Sequence, residues 1–201
     1  MSIPYEHTGR TNQKERTRRA LIDAARDLLA EGITPTVEDV AAAAATSRAT
    51  AYRYFSNQDA LLVAAHPEAH MASLLGEDPP LDPESRLDLL VERAAEIFLG
   101  SEATYRTMLR LSLEPDLHDR GDLSLRKGLR LSWIEDAIEP VRDQMSPDAF
   151  ARLVHALAIT IGIEAIVVLT DLGGLGRDDA IEVVRWSAKS LLRAALAGGP
   201  R

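Results

Sequence analysis

The chain has 201 residues, 46% of them hydrophobic and only 4% aromatic, so it can bury a sizeable core built mainly from Leu, Ala, Ile and Val. It has no cysteine, which excludes disulfides, thiol catalysis and cysteine-ligated zinc and is what a reducing cytoplasm would hold. The net charge of -8 argues against a uniformly basic nucleic-acid binder, but residues 1–60 hold eight basic and eight acidic side chains and the acidic excess lies beyond them.

Residues 1–11 have no periodicity and no apolar run, so they read as a flexible arm without a secretory signal. Leu21, Ala24, Ala25 and Leu28 recur at helical spacing and predict a helix over 12–30, stopped by Gly32. Its start carries Lys14, Arg16, Arg18 and Arg19 against Glu15, the one local concentration of positive charge. Thr36, with Asp39 three residues on, predicts a capping box for a second helix that carries Val40 to Ala44. Ala45-Thr46-Ser47 is a turn, and a short helix follows from Arg48 to Tyr54. Ser56 with Asp59 predicts the next cap, and that helix runs over 58–75 as a connector, kinked at Pro67.

Gly76-Glu77-Asp78-Pro79-Pro80 is the strongest breaker and the expected boundary of a second domain, 76–201. Five helices are expected there, over 83–99, 102–114, 123–144, 147–171 and 178–197. No segment alternates polar and β-branched residues, so the fold class is all-α, with about nine helices. The division is an arm (1–11), a three-helix head (12–57), a connector (58–75) and a helical body.

Three short helices span residues 36–72, and the middle one, about two turns long, begins a few residues after its predecessor ends, which is a helix-turn-helix layout. Leu28, Val40, Ala41, Ala44, Tyr52, Phe55 and Leu61 are the expected small core. The outward face of the Arg48–Tyr54 helix then carries Arg48, Ala49 and Arg53, with Ser47 at its start, which suits entry into a major groove. Tyr52 and Tyr54 lie two apart on a helix and cannot both face the core, so at least one hydroxyl is free to meet a phosphate.

The runs Thr17-Arg18 through Glu31-Gly32, Thr36-Val37-Glu38-Asp39-Val40-Ala41 and Ser47-Arg48-Ala49-Thr50-Ala51-Tyr52-Arg53-Tyr54-Phe55 resemble the DNA-binding head of the tetracycline-repressor (TetR) family. The resemblance covers about the first third of the chain. It implies a ligand-responsive regulator, released from palindromic operator DNA by a small molecule and working as a cytoplasmic homodimer. It further implies that Thr36 touches phosphate and that Thr46, Ser47, Arg48, Thr50 and Arg53 lie at the groove, with Arg48 the base contact. Tyr52 and Tyr54 would position the backbone, and Lys14, Arg16 or Arg18 would meet phosphate or the neighbouring minor groove. Two positions depart from the family pattern. Ala45 stands where glycine is usual, at a cost of roughly 1 kcal/mol if the turn needs positive φ. Gln58 stands where lysine is usual, which weakens one phosphate contact.

In the body, Ala156 to Leu169 is apolar on nearly every side and must be covered. A second subunit is the expected cover, through Leu157, Ile161, Gly162, Ala165 and Val168 together with a stripe on the last helix, Ile181, Val184, Ala188, Leu191 and Leu192. The larger apolar residues between boundary and interface are the candidates for an effector pocket. They are Leu89, Ile97, Phe98, Tyr105 and Met108, then Leu109, Leu113, Trp133, Ile134 and Ile138, and they suit a largely apolar ligand.

His66 and His70 stand at i and i+4 around Pro67 without an evident third ligand, and His118 sits in an acidic loop, so no metal or cofactor is expected. Gly173-Gly174-Leu175-Gly176 follows a helix and lacks a Lys-Ser/Thr pair, so it is a helix stop and not a phosphate loop. No apolar run is long enough to span a membrane. The alternatives are a helical small-molecule module with weak or lost DNA binding, and a helical enzyme, for which no nucleophile motif is present.

Overall fold

A computed structural model describes residues 5–66, 71–113 and 129–198, the first eight of these as backbone only. Among the described residues every regular element is helical. They are α1 (Tyr5–Ala30), α2 (Val37–Ala43), α3 (Arg48–Tyr54), α4 (Gln58–Ala65), α5 (Pro83–Gly100), α6 (Glu102–Ser112), α7 (Leu129–Ala137), α8 (Pro147–Thr160), α9 (Ile163–Val167) and α10 (Arg177–Leu196). A 3-10 segment, Glu139–Gln144, follows α7, and a π-type turn, Val168–Leu172, follows α9.

Contacts divide the chain into two compact units, a head of residues 1–69 with 106–125 and a body of residues 70–105 with 126–201. The boundary expected at 76–80 is therefore displaced. The chain passes between the units at three places, and one of them falls inside α6, between Tyr105 and Arg106. The connector is not the sole covalent link.

In the head, Leu21, Ala25 and Leu29 on α1, Val37, Val40 and Ala41 on α2, Ala51 on α3 with Phe55, and Leu61, Leu62 and Ala65 on α4 bury together. Met108 and Leu111 of α6 complete this core. The Thr107 hydroxyl donates to the Leu29 carbonyl at 3.2 Å, and Arg110 donates to the Thr34 hydroxyl at 3.0 Å. The first helix begins at Tyr5, earlier than the expected 12, so 5–11 do not form an irregular arm. Gly32, at φ 79°, ends it: the Gly32 and Ile33 amides turn back to the carbonyls of Leu29 and Leu28. The fourth helix ends at Ala65, ten residues short of the expected Leu75, and its cap is Asn57 rather than Ser56. Arg26 closes its last turn, donating to the carbonyls of Ala65 and His66. Pro67 and His70 lie outside the described residues.

In the body, α10 packs against α5 and α8, and α7 lies against α5 and α8. Stripes at helical spacing supply the contact: Leu87, Leu90, Val91, Ala94 and Phe98 on α5, and Ala180, Val184, Ala188 and Leu192 on α10. Trp133, 1% exposed, donates its indole N–H to the Met71 carbonyl at 2.9 Å. Arg86 is buried, and its guanidinium donates to the carbonyls of Pro80, Asp136 and Ala137, so the end of α7 has charged donors. The expected helix over 147–171 is interrupted at Ile161-Gly162. Gly162 is buried, and a Cβ there would lie 2.3 Å from the Arg130 guanidinium, which pairs with Glu164 and donates to the Ala158 carbonyl. The break therefore makes room for an internal ion pair. No single helix among the described residues is long and apolar enough to cross a membrane.

Candidate nucleic-acid interface

The α2–α3 pair begins with a complete capping box. The Thr36 side chain accepts from the Asp39 amide at 3.2 Å, and the Asp39 carboxylate accepts from the Thr36 amide at 2.9 Å and from its hydroxyl at 2.7 Å. These bonds hold the Asp39 carboxyl below its usual range, the Thr36 hydroxyl contributing most. At the end of α2 the Ala45 amide bonds to the Ala42 carbonyl and the Thr46 amide to the Ala41 carbonyl. This is the same closure that ends α1, and it requires a left-handed residue. Here that residue is Ala45, at φ 49°, which meets the condition under which the alanine costs energy.

Ser47 then caps α3, accepting from the Thr50 amide at 3.2 Å and donating to the Thr50 hydroxyl at 2.9 Å. Ala51 is fully buried, and three residues on Tyr54 packs against the same core. Tyr52 points elsewhere, 43% exposed, because it lies about 100° around the helix from Ala51. The core role expected for Tyr52 thus belongs to Tyr54. Arg48, Ala49, Tyr52 and Arg53 share the exposed side, with Arg53 also lying 5.5 Å from the Tyr54 ring. Among the earlier basic residues, Lys14 and Arg16 are exposed, whereas the Arg18 guanidinium stands 5.8 Å from the Phe55 ring. Gln58 is half-buried and donates to the Pro35 carbonyl at 3.0 Å, so one of its two amide N–H groups is engaged within the head.

Sequence reasoning missed Glu38. One of its carboxylate oxygens accepts from the Arg48 guanidinium and from the Tyr52 hydroxyl, each at 2.8 Å. The hydroxyl and then the guanidinium hold the Glu38 carboxyl below its ordinary value, and the same bond raises the Tyr52 phenol. Only the place of Glu38 in the first turn of α2 hinted at this, since no spacing rule pairs residues across a turn.

The body residues separate less cleanly. Of the pocket candidates, Met108 belongs to the head core, Leu109 and Leu113 also belong to the head, and Leu113 is 71% exposed. The division of α6 accounts for all three. Tyr105 stays with the body and meets Phe98 edge-on at 4.9 Å between ring centres. Trp133, Ile134 and Ile138 are fully buried, while Leu89 and Ile97 are half-buried on α5. A cavity of about 10 Å³ lies among Phe98, Val91, Ile161, Gly162, Ile166, Ile181 and Val184. Four of these were expected at a subunit interface. Leu157, Ile161, Val184, Ala188 and Leu192 are buried within the body of one chain, so they have no area left for a partner; Ala165, Ile181 and Leu191 are half-buried and Val168 is exposed. What α8 and α10 leave outside is Ile159, 77% exposed, Trp186, 69% exposed, and an open groove of about 510 Å³ that includes Arg152, Ala156 and Leu191.

Comparison with known proteins bears on the head most directly. Residues 21–65 match the family described as bacterial regulatory proteins, tetR family. A relative from Mycolicibacterium smegmatis (strain ATCC 700084 / mc(2)155), the HTH-type transcriptional repressor LfrR, is 34% identical over half of this chain and 68% of its own length. No solved structure matches.

Proposed function

The chain belongs to the tetR family of bacterial regulatory proteins, and from that premise we propose that it is a repressor that binds palindromic operator DNA as a homodimer and leaves it when a small molecule binds the body. The observation that carries this reading is the outward face of α3, where Arg48, Ala49, Tyr52 and Arg53 stand exposed on a helix of seven residues. A short helix with a guanidinium at its first turn suits a major groove, where arginine reads guanine through two acceptors. Lys14 and Arg16 supply phosphate contact from α1, and Thr36 and Ser47 stand at the starts of α2 and α3.

Pairing of two chains follows from the same need, since one α3 reads only a few base pairs. The surface proposed for it is the outer side of α8 and α10, with Ile159, Trp186 and the groove beside Leu191. The effector site proposed is the apolar cavity beside Phe98, Ile161 and Ile166. At about 10 Å³ it admits roughly one water, so a ligand must part α5 from the Gly162 break to enter. A small molecule acts on DNA affinity only by its unequal affinity for two arrangements of the protein. Such a regulator works where the DNA is, in the cytoplasm.

Fluorescence anisotropy with DNA from upstream of the chain's own gene tests the reading. Tight, salt-sensitive binding to that DNA, with weaker binding to random duplex, is the expected result. Equal, weak affinity for both favours the second reading, a small-molecule module with little DNA binding, which draws on the engagement of Gln58 with Pro35.

A further inference from the structure

The carboxylate of Glu38 stands on the side of the head that carries Arg48 and Tyr52, and it binds both through the same oxygen. Its side chain is partly open to solvent, as is that of Arg48. A tyrosine hydroxyl has one proton, and here that proton is given to Glu38. Tyr52 therefore cannot donate to a phosphate without breaking this bond. Arg48 is in a different position, because a guanidinium has five N–H groups and Glu38 takes from only one nitrogen.

The two kinds of DNA acceptor do not meet this arrangement equally. A phosphate carries full negative charge and is repelled by the carboxylate beside its two donors. A guanine edge offers neutral acceptors, which the remaining N–H groups of Arg48 satisfy while the bond to Glu38 persists. Two more features restrain the carboxylate. Glu38 sits in the first turn of α2, whose start is fixed by the Thr36–Asp39 box, and Arg48 opens α3 after the cap at Ser47. The tie thus spans the turn between the two helices.

We propose that Glu38 is a specificity-determining residue, which withholds Arg48 and Tyr52 from indiscriminate phosphate contact and leaves Arg48 able to read a base edge. The inference rests on the DNA-binding reading above and concerns the ratio of two affinities rather than either alone. Non-specific binding grows with the number of phosphates neutralised, so removing the Glu38 charge adds about one such contact. Specific binding already uses Arg48 on the base and gains less.

The test is Glu38→Gln, which keeps size and an acceptor oxygen, measured beside Glu38→Ala by anisotropy on operator and random duplex from about 0.05 to 0.3 M salt. Expected for Glu38→Gln is a rise of about fivefold in random-DNA affinity near 0.15 M salt, a salt slope steeper by about one, and a reduced specificity ratio. The gain should vanish when Glu38→Gln is combined with Arg48→Ala. Thermal melting by circular dichroism verifies that the variants fold, and if Glu38→Ala does not, Glu38→Gln still decides. An equal loss on both duplexes, or an unchanged ratio, overturns the role of Glu38 while DNA binding stands. A wild-type chain that binds neither duplex at low salt overturns both readings.

Discussion

The head and the body are held by different means. In the head, α2, α3 and α4 have seven, seven and eight residues, and each starts at a side-chain cap. In the body, α5 and α8, of 18 and 14 residues, each pack on α10, of 20 residues, through long apolar stripes. Distant ion pairs tie α10 to its neighbours, Lys189 with Asp88 of α5 and Arg177 with Glu102 of α6. Helices of two turns are unstable alone, so caps, turns and a shared core must define them. The reward is a side of α3 whose polar groups are not needed for folding. In the body, the length of α5 and α10 goes into apolar burial.

The largest expected effect tests the body half of this contrast. Trp133→Ala removes a fully buried indole and leaves the Met71 carbonyl without its donor, which should cost about 3–5 kcal/mol in denaturant unfolding. Arg48→Ala tests the head half and should do the reverse. It should leave unfolding nearly unchanged and weaken operator binding by about 1–3 kcal/mol, because Arg48 is exposed and its folded-state tie is a surface ion pair. A thermal midpoint that falls as far for Arg48→Ala as for Trp133→Ala would erase the distinction.

A smaller effect separates caps from ion pairs. Thr36→Ala should destabilise the head by about 1 kcal/mol. The Asp39 carboxyl is held low by Thr36, so its stabilisation is complete above the ordinary value of 3.8 and is lost as pH falls through the depressed folded value. In Thr36→Ala the loss of stability on acidification should therefore be shallower than in the wild type, as urea midpoints at neutral pH and in the acid range will show. Glu84, held low by Arg193, gives the body an acid dependence of the same sign, and Thr36→Ala should leave that part untouched.

How far each unit was legible follows the same contrast. The Thr36–Asp39 box, the Ala45 turn and the start of α3 were readable because cap and turn chemistry is local. The start of α1 was not, since Tyr5 to Thr11 lack the apolar period that marks a helix and are helical all the same. In the body, apolar periodicity gave helices but not their partners. Ile161 and Val184 look alike whether they face a second subunit or α5, and here both line the small cavity beside Phe98. The break at Gly162 was hidden because the group filling the space beside it is Arg130, 32 positions away in sequence. Glu38 was missed for the same reason, its partners lying across the turn.

The smallest expected change compares two turns inside the head. Gly32 and Ala45 close α1 and α2 with the same pair of backward hydrogen bonds, and both lie at positive φ, 79° and 49°. A Cβ at Gly32 would meet nothing within 4 Å, so Gly32→Ala has no steric cost beyond the backbone itself. Ala45 is exposed, so Ala45→Gly loses no packing. The two substitutions are thus mirror experiments on one geometry. Gly32→Ala should destabilise by roughly 0.5 kcal/mol, the strain of a Cβ in the left-handed region less the entropy that alanine removes from the unfolded chain. Ala45→Gly relieves that strain but loosens the unfolded chain, so its net gain should be of the same size, roughly 0.5 kcal/mol. Urea unfolding of both variants measures the difference. The sign at Ala45 also bears on DNA. If strain in this turn holds α3 at the angle the groove requires, Ala45→Gly gains stability and loses operator affinity together. If the turn only joins two helices, stability rises and affinity stays where it was.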